Sequence, residues 1–280
     1  MATSISPLIS PTEITLGTGV IVDARSGPDA FERYCTGHLQ GALHADLDSD
    51  LSRKPKDPAY GGRHPLPEVK DFAAFVGQLG IKPSTSVIVY DDKSGANAAA
   101  RFWWMLRALG HQKVRVVDGG LDALIRDGLP MTATQHEPIR TSSYPVEEWK
   151  LPTVSIEDVA VSAKDPDSLV IDVREAYRYR GEREPIDLIA GHIPGAINIP
   201  YLDNLTEDGR FRPAQELALQ YDAILDHREP SNVIVHCGSG VTACHTLLAL
   251  EQAGIKGANL YVGSWSEWSR RERPVGKGTE

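Results

Sequence analysis

The sequence predicts an α/β protein built from two tandem copies of one domain, each a parallel sheet flanked by helices. Three observations carry that prediction: the length and composition, an internal repeat, and an alternation of two hydrophobic periodicities. The chain has 280 residues, of which 41% are hydrophobic and 24% charged, enough to bury two ordinary cores and free of the bias of a fibrous or disordered chain. Four segments then recur in the same order at an offset of about 150 residues. VIVDAR ending at Arg25 returns as LVIDVR ending at Arg174, and GHLQGALHADL from Gly37 returns as GHIPGAINIPY from Gly191. VIVYDDKSG from Val87 returns as VIVHCGSG from Val233, and VVDGGLDAL from Val116 returns as LYVGSWSEW from Leu260. A duplicated domain is the simplest account of such a pattern.

Within each copy the elements follow from periodicity. Short apolar runs such as VIVD and VIVY lack the polar alternation of a half-solvated strand, so they read as strands buried on both faces. Between them lie stretches of helical period, FAAFVGQLG from Phe72 and ARFWWMLRALG from Ala100, which supply the covering helices. HEPIRTSSYPVEEWKLP, ending at Pro152, is rich in breakers and polar residues and reads as a linker. The expected organisation is a first domain over 1–130, a linker over 131–152 and a second domain over 153–280.

The charge and the ends narrow the class. A net charge of -9 argues against a nucleic-acid or anionic-membrane partner, which needs a basic face. MATSISPLIS carries no basic residue before an apolar run, and no segment reaches the roughly 18 apolar residues of a membrane helix, so a cytoplasmic protein is the expectation. The cysteines are Cys35, Cys237 and Cys244, too few and too scattered for a disulfide framework or a zinc site. No metal and no cofactor is expected.

Cys237 is the residue on which chemistry converges. It ends the strand VIVH and opens the loop CGSGVT, which leads into a helical stretch. Backbone N–H groups from Gly238 to Thr242 can curl around its sulfur, with the helix N-terminus facing the same point, an arrangement that favours an anionic, nucleophilic thiol. Gly238 and Gly240 let the backbone approach that anion closely. A small buried cysteine at a strand end is the competing structural reading, and the loop favours the nucleophile. A cysteine phosphatase would use the same strand, cysteine and loop but needs an arginine six residues on to hold phosphate; that position is Ala243. The first copy carries Asp91 where the second carries Cys237, so it is expected to be catalytically silent and to serve as a wall of the cleft.

Taken together, HCGSGVTAC (His236 to Cys244), GHIPGA (Gly191 to Ala196) and GSWSEW (Gly263 to Trp268) resemble the tandem rhodanese family over nearly the whole chain. Within that family a CGSGVT loop resembles the branch acting on 3-mercaptopyruvate, whereas members acting on thiosulfate typically carry basic residues after the cysteine. The resemblance implies that Cys237 takes sulfur from 3-mercaptopyruvate as a persulfide, releases pyruvate and hands the sulfur to a thiol, thioredoxin or cyanide. Gly238, Gly240, Val241 and Thr242 would line the donor site through their amides. It further implies a substrate arginine at Arg178. A second, expected after Glu184 and Pro185, is replaced by Ile186, with Arg183 as the shifted alternative to a merely solvated arginine. Ser239, His64 and Asp48 match a Ser, His and Asp set that moves protons, with His64 supplied by the first domain; a histidine ordering the Pro-bounded loop GRHPLP is the other reading.

The remaining candidates read as structural. His236 points to the opposite strand face from the nucleophile. Asp23 with Arg25, and Asp172 with Arg174, occur in both copies and therefore do not track activity. Trp268 and Cys244 read as packing residues, Trp265 as packing near the site, and Cys35 as incidental. A thiosulfate-specific enzyme and a rhodanese-like binding module without turnover are the alternatives to the leading reading. The intact CGSGVT loop argues against the binding module.

Overall fold

The computed structural model describes residues 5–279, and its contacts divide them into two compact units. The first comprises residues 5–53, 67–150 and 207–211, and the second 54–66, 151–206 and 212–279. Two segments are thus exchanged: 54–66, from the first half of the chain, belongs to the second unit, and 207–211 belongs to the first. His64 is therefore built into the same unit as Cys237. The sequence expectation that the first domain contributes it holds for chain order and not for packing.

The first unit holds β1 (Leu8–Ile9), β2 (Val20–Asp23), α1 (Ala30–Thr36), β3 (His38–Leu39), β4 (Ala42–His44), α2 (Val69–Gln78), β5 (Val87–Tyr90), α3 (Ala99–Ala108), β6 (Val114–Val117), α4 (Gly120–Arg126) and β7 (Met131–Thr132). Its main sheet runs β1-β6-β5-β2-β4, every pair parallel, while β3 and β7 form a small antiparallel pair. The run VIVY of β5 is buried at every position, as expected of a strand covered on both faces. Residues read as a linker are laid along this unit. Thr141 N–H donates to Gly77 O, Tyr144 N–H to Ala73 O and Lys150 N–H to Ala108 O, while the Trp149 ring packs on Phe72. The apolar rings in that stretch, Tyr144 and Trp149, outweigh its helix breakers and give it a surface to bind.

The second unit holds α5 (Ile156–Ser162), β8 (Leu169–Asp172), α6 (Ala176–Tyr179), β9 (Ile197–Asn198), α7 (Ala214–Leu225), β10 (Val233–His236), α8 (Ala243–Gln252), β11 (Asn259–Leu260) and α9 (Ser264–Trp268). Its sheet runs β11-β10-β8-β9, again parallel throughout. A core of Ile156, Val159, Val170, Ile193, Ile234 and Trp265 fills one face of the sheet. Placing β10 inside the sheet puts Cys237 at a strand's carboxyl end, where open α/β sheets present their ligand sites. Among the described residues no helix is long and apolar enough to cross a membrane.

The repeated Asp and Arg are structural in both units. Arg25 forms a buried pair with Asp23 and donates to Gly37 O. Arg174 forms the matching pair with Asp172 and donates to Gly191 O, so each ties its strand to the following GH segment. His236 is fully buried, with Nε2 3.8 Å from Asp172 Oδ2; burial pushes its pKa down, which keeps a core imidazole neutral.

Candidate active site

Cys237 is 3% exposed and its backbone is fixed from α9. Its N–H donates to Ser264 Oγ at 3.2 Å, its carbonyl accepts from Trp265 N–H at 3.0 Å, and the Gly238 carbonyl accepts from Ser266 N–H at 2.8 Å. Ser264 adopts φ +53°, unusual for a residue with a side chain, and is held there by donating Oγ to Tyr261 O. The GSWSEW signature therefore grips the nucleophile's main chain. In sequence the tryptophans of this motif read as packing, Trp265 near the site; the two serines flanking the buried Trp265 are the signal for its grip on the loop.

The loop itself depends on Gly240, which has φ +75° and whose missing Cβ would lie 2.5 Å from the Val262 carbonyl oxygen. Gly240→Ala is expected to cost about 2–4 kcal/mol and to disorder the loop. Urea unfolding followed in parallel with transfer activity checks this; unchanged stability would show that the loop relaxes freely.

The first unit shows what such a loop does with an anion. Asp91, at the position of Cys237, is fully buried, and its carboxylate accepts from the N–H groups of Lys93, Gly95, Asn97, Ala98 and Ala99 at 2.8–3.1 Å. Burial pushes the Asp91 carboxyl up, opposed by these amides. The loop after this strand is thus an anion nest, filled in the first unit by the protein's own side chain.

Beside the Cys237 loop, His64 Nδ1 lies 2.7 Å from Ser239 Oγ. Among the bonds that pin the exchanged segment there are Gly61 N–H to Glu267 Oε1 and Arg63 N–H to Ser266 Oγ, and Arg271 to Ala59 O. Gly62, at φ +78°, allows the close approach, since a Cβ there would meet Gly263 O at 2.4 Å. Asp48, expected as the third member of that set, lies exposed on the loop after β4 of the first unit, its N–H bonded to Asp46 Oδ1.

The charged groups differ from expectation. Over Gly238, the position of a Cβ would lie 3.4 Å from Arg178 Nη2 and 3.3 Å from Arg63 Nη2. Arg183 instead sits exposed with its guanidinium 5.8 Å from the Tyr177 ring centre, and the second guanidinium at the loop is Arg63's. Arg63 stands beside His64 in GRHPLP, and nothing in the local sequence marks it as a site residue.

Arg178 is held by Glu184 at 2.8 Å, Asp187 at 3.3 Å and Glu175 at 3.4 Å. Burial opposes its charge, but these carboxylates raise its pKa overall. Burial likewise opposes the charge of Glu184, yet bonds from Arg178 and from backbone amides hold its carboxyl below the usual range. Asp172 is depressed in the same way, with Arg174 outweighing burial. The unfolded chain takes up these protons first, so the stability they give is complete above a pH of about 5 and is lost as pH falls through the lower folded values. Urea midpoints measured from pH 6 downwards should trace that loss. Glu184→Gln should flatten the acid limb and cost about 1–3 kcal/mol at neutral pH by leaving Arg174 and Arg178 underpaired.

The fold, the nest and its cysteine define a class, and the comparisons agree: the rhodanese-like domain model matches residues 12–127 and 155–271, and the chain belongs to the rhodanese family. It is similar to a Pseudomonas aeruginosa protein named "Probable 3-mercaptopyruvate sulfurtransferase", with 40% identity over 88% of this chain and 86% of the relative. It is also similar to the thiosulfate sulfurtransferase of Gallus gallus, with 33% identity over 95% of this chain and 91% of the relative. Among solved structures, 3-mercaptopyruvate sulfurtransferase from Leishmania major superposes with a TM-score of 0.82 at 30% identity, covering 94% of this chain and 74% of that one.

Proposed function

We propose that this protein is a sulfurtransferase that moves sulfur from 3-mercaptopyruvate through a Cys237 persulfide to a thiol, thioredoxin or cyanide acceptor. The Cys237 thiolate attacks the donor sulfur; the carbon–sulfur bond breaks and its electron pair leaves as the enolate of pyruvate. A proton delivered to that enolate gives pyruvate, and the sulfur remains on Cys237 as S–SH. The acceptor then takes the outer sulfur and returns the thiolate, a ping-pong cycle that calls on no cofactor. Amides of Gly238, Ser239, Gly240, Val241 and Thr242 stabilise the sulfur anion in both halves, as the Asp91 nest illustrates.

Relatives named for either donor match the chain over most of its length, so the choice of donor rests on the site. The observation that carries it is the 2.7 Å contact of His64 with Ser239. An enolate needs a proton as it leaves, and an imidazole relaying through a hydroxyl supplies one. Sulfite, the product of thiosulfate, leaves without one. Arg63 and Arg178 supply positive charge for the donor carboxylate; Asp48 enters the relay only through the family resemblance. The test is a side-by-side assay of pyruvate and sulfite release. A higher kcat/KM for 3-mercaptopyruvate is expected, and an advantage for thiosulfate would replace this reading with thiosulfate sulfurtransferase.

A further inference from the structure

Asp187 is an unexpected residue to find at an anion site. Its side chain is wholly buried, and its oxygens are divided among three arginines. Oδ1 accepts from Arg63 Nε at 3.0 Å and Arg270 Nη1 at 3.3 Å. Oδ2 accepts from Arg178 Nη2 at 3.3 Å and Arg63 Nη2 at 3.4 Å. The same Oδ2 lies 3.5 Å from the Cβ position of Gly238, level with both guanidiniums. A donor anion seated over Gly238 therefore meets two arginines and a carboxylate together.

We propose that Asp187 tunes the charge selectivity of the donor site: its carboxylate, held between Arg63 and Arg178 beside Gly238, weakens the hold on a dianion more than on a monoanion. This rests on the reading of the Cys237 loop as the donor site. Arg178 is also paired with Glu184 and Glu175, and Asp187 also with Arg270, but of these carboxylates Asp187 is the one placed beside Gly238 with both guanidiniums. Its charge subtracts from the attraction that the arginines offer an anion there. A second negative charge on the ligand gains as much from the arginines as the first and suffers the same repulsion from Asp187, so the carboxylate's effect in free energy doubles with ligand charge. Arg63 keeps Nε and Nη2 on Asp187, so the carboxylate also orients that side chain. Asp187 is a positioning and specificity residue and not a member of the reacting set.

The prediction is quantitative in the ratio. Calorimetric titration of the full-length protein with pyruvate, a monoanion, and inorganic sulfate, an unreactive dianion, gives dissociation constants without turnover. Asp187→Asn keeps the size and one acceptor and removes the charge. It is expected to tighten pyruvate about threefold and sulfate about tenfold, the larger gain shrinking with added salt. In turnover the kcat/KM ratio of thiosulfate to 3-mercaptopyruvate should rise by a similar factor, through KM more than kcat. Asp187→Ala, which also removes the acceptors, separates charge from shape. If charge is the agent, both variants shift the sulfate-to-pyruvate ratio the same way. Equal changes for the two anions, or weaker binding of both in variants whose melting shows them folded, would overturn the proposal. Binding that ignores Arg63→Gln would overturn it too, by removing the anion from this site. The calorimetric readouts need no persulfide, so they judge Asp187 even where Cys237 fails to form one.

Discussion

Cys237→Ser is expected to abolish sulfur transfer from both donors, by about 10⁴-fold or more in kcat/KM. The hydroxyl fits the same nest, with its backbone still bonded to Ser264 and Trp265, so the variant should fold and melt like the parent. What it lacks is a nucleophile soft enough to take sulfur and an atom able to carry it. Mass spectrometry of the intact protein after exposure to 3-mercaptopyruvate gives the direct check: the parent gains one sulfur atom and the variant none. Cys244 is buried, with its sulfur on Gly240 O, and Cys35 lies in the first unit; neither is expected to carry the sulfur. Activity surviving in the serine variant would remove the persulfide mechanism altogether.

The second large effect concerns His64. His64→Gln keeps a side chain able to bond Ser239 but loses the proton, and kcat/KM with 3-mercaptopyruvate is expected to fall by about 10²–10³-fold. Thiosulfate is the internal control, since its leaving group needs no proton, and its transfer should drop less than tenfold. A pH profile for the parent with 3-mercaptopyruvate should carry a limb that the variant lacks. Equal losses with both donors would show that His64 orders the loop and does nothing more, the reading GRHPLP also allowed.

Much of this was legible in the sequence for a physical reason. Buried parallel strands need unbroken apolar runs, so VIVD, VIVY, LVID and VIVH announced themselves, and repetition fixed the duplication. Cys237 was visible because a nucleophile in an amide nest needs its glycines next to it in sequence. Charge placement was not visible in the same way. Arg63 reaches Gly238 through an excursion that leaves its own half of the chain, and Asp187 acquires meaning only when three arginines from distant segments converge on it. Arg183 looked equivalent to Arg178 on paper because both lie on one short segment. Which of them faces Gly238 is settled by α6 and the turn after it, where Glu184 clasps Arg178 and leaves Arg183 to Tyr177.

The exchanged segments bear on how this chain is made. The ribosome delivers residues 5–150 well before 207–211, so the first unit must wait, incomplete, for a strip that is translated after much of the second has emerged. The second unit in turn needs 54–66, which must stay available, with Arg63 and His64 on it, until α9 exists to receive it. Neither unit is therefore drawn from one unbroken stretch of chain. A gene cut at the apparent boundary would yield a carboxyl-terminal fragment that retains its cysteine and its nest but lacks the arginine and the histidine that serve them. The two copies are joined in sequence by more than their linker: each unit completes itself with residues from beyond the apparent boundary.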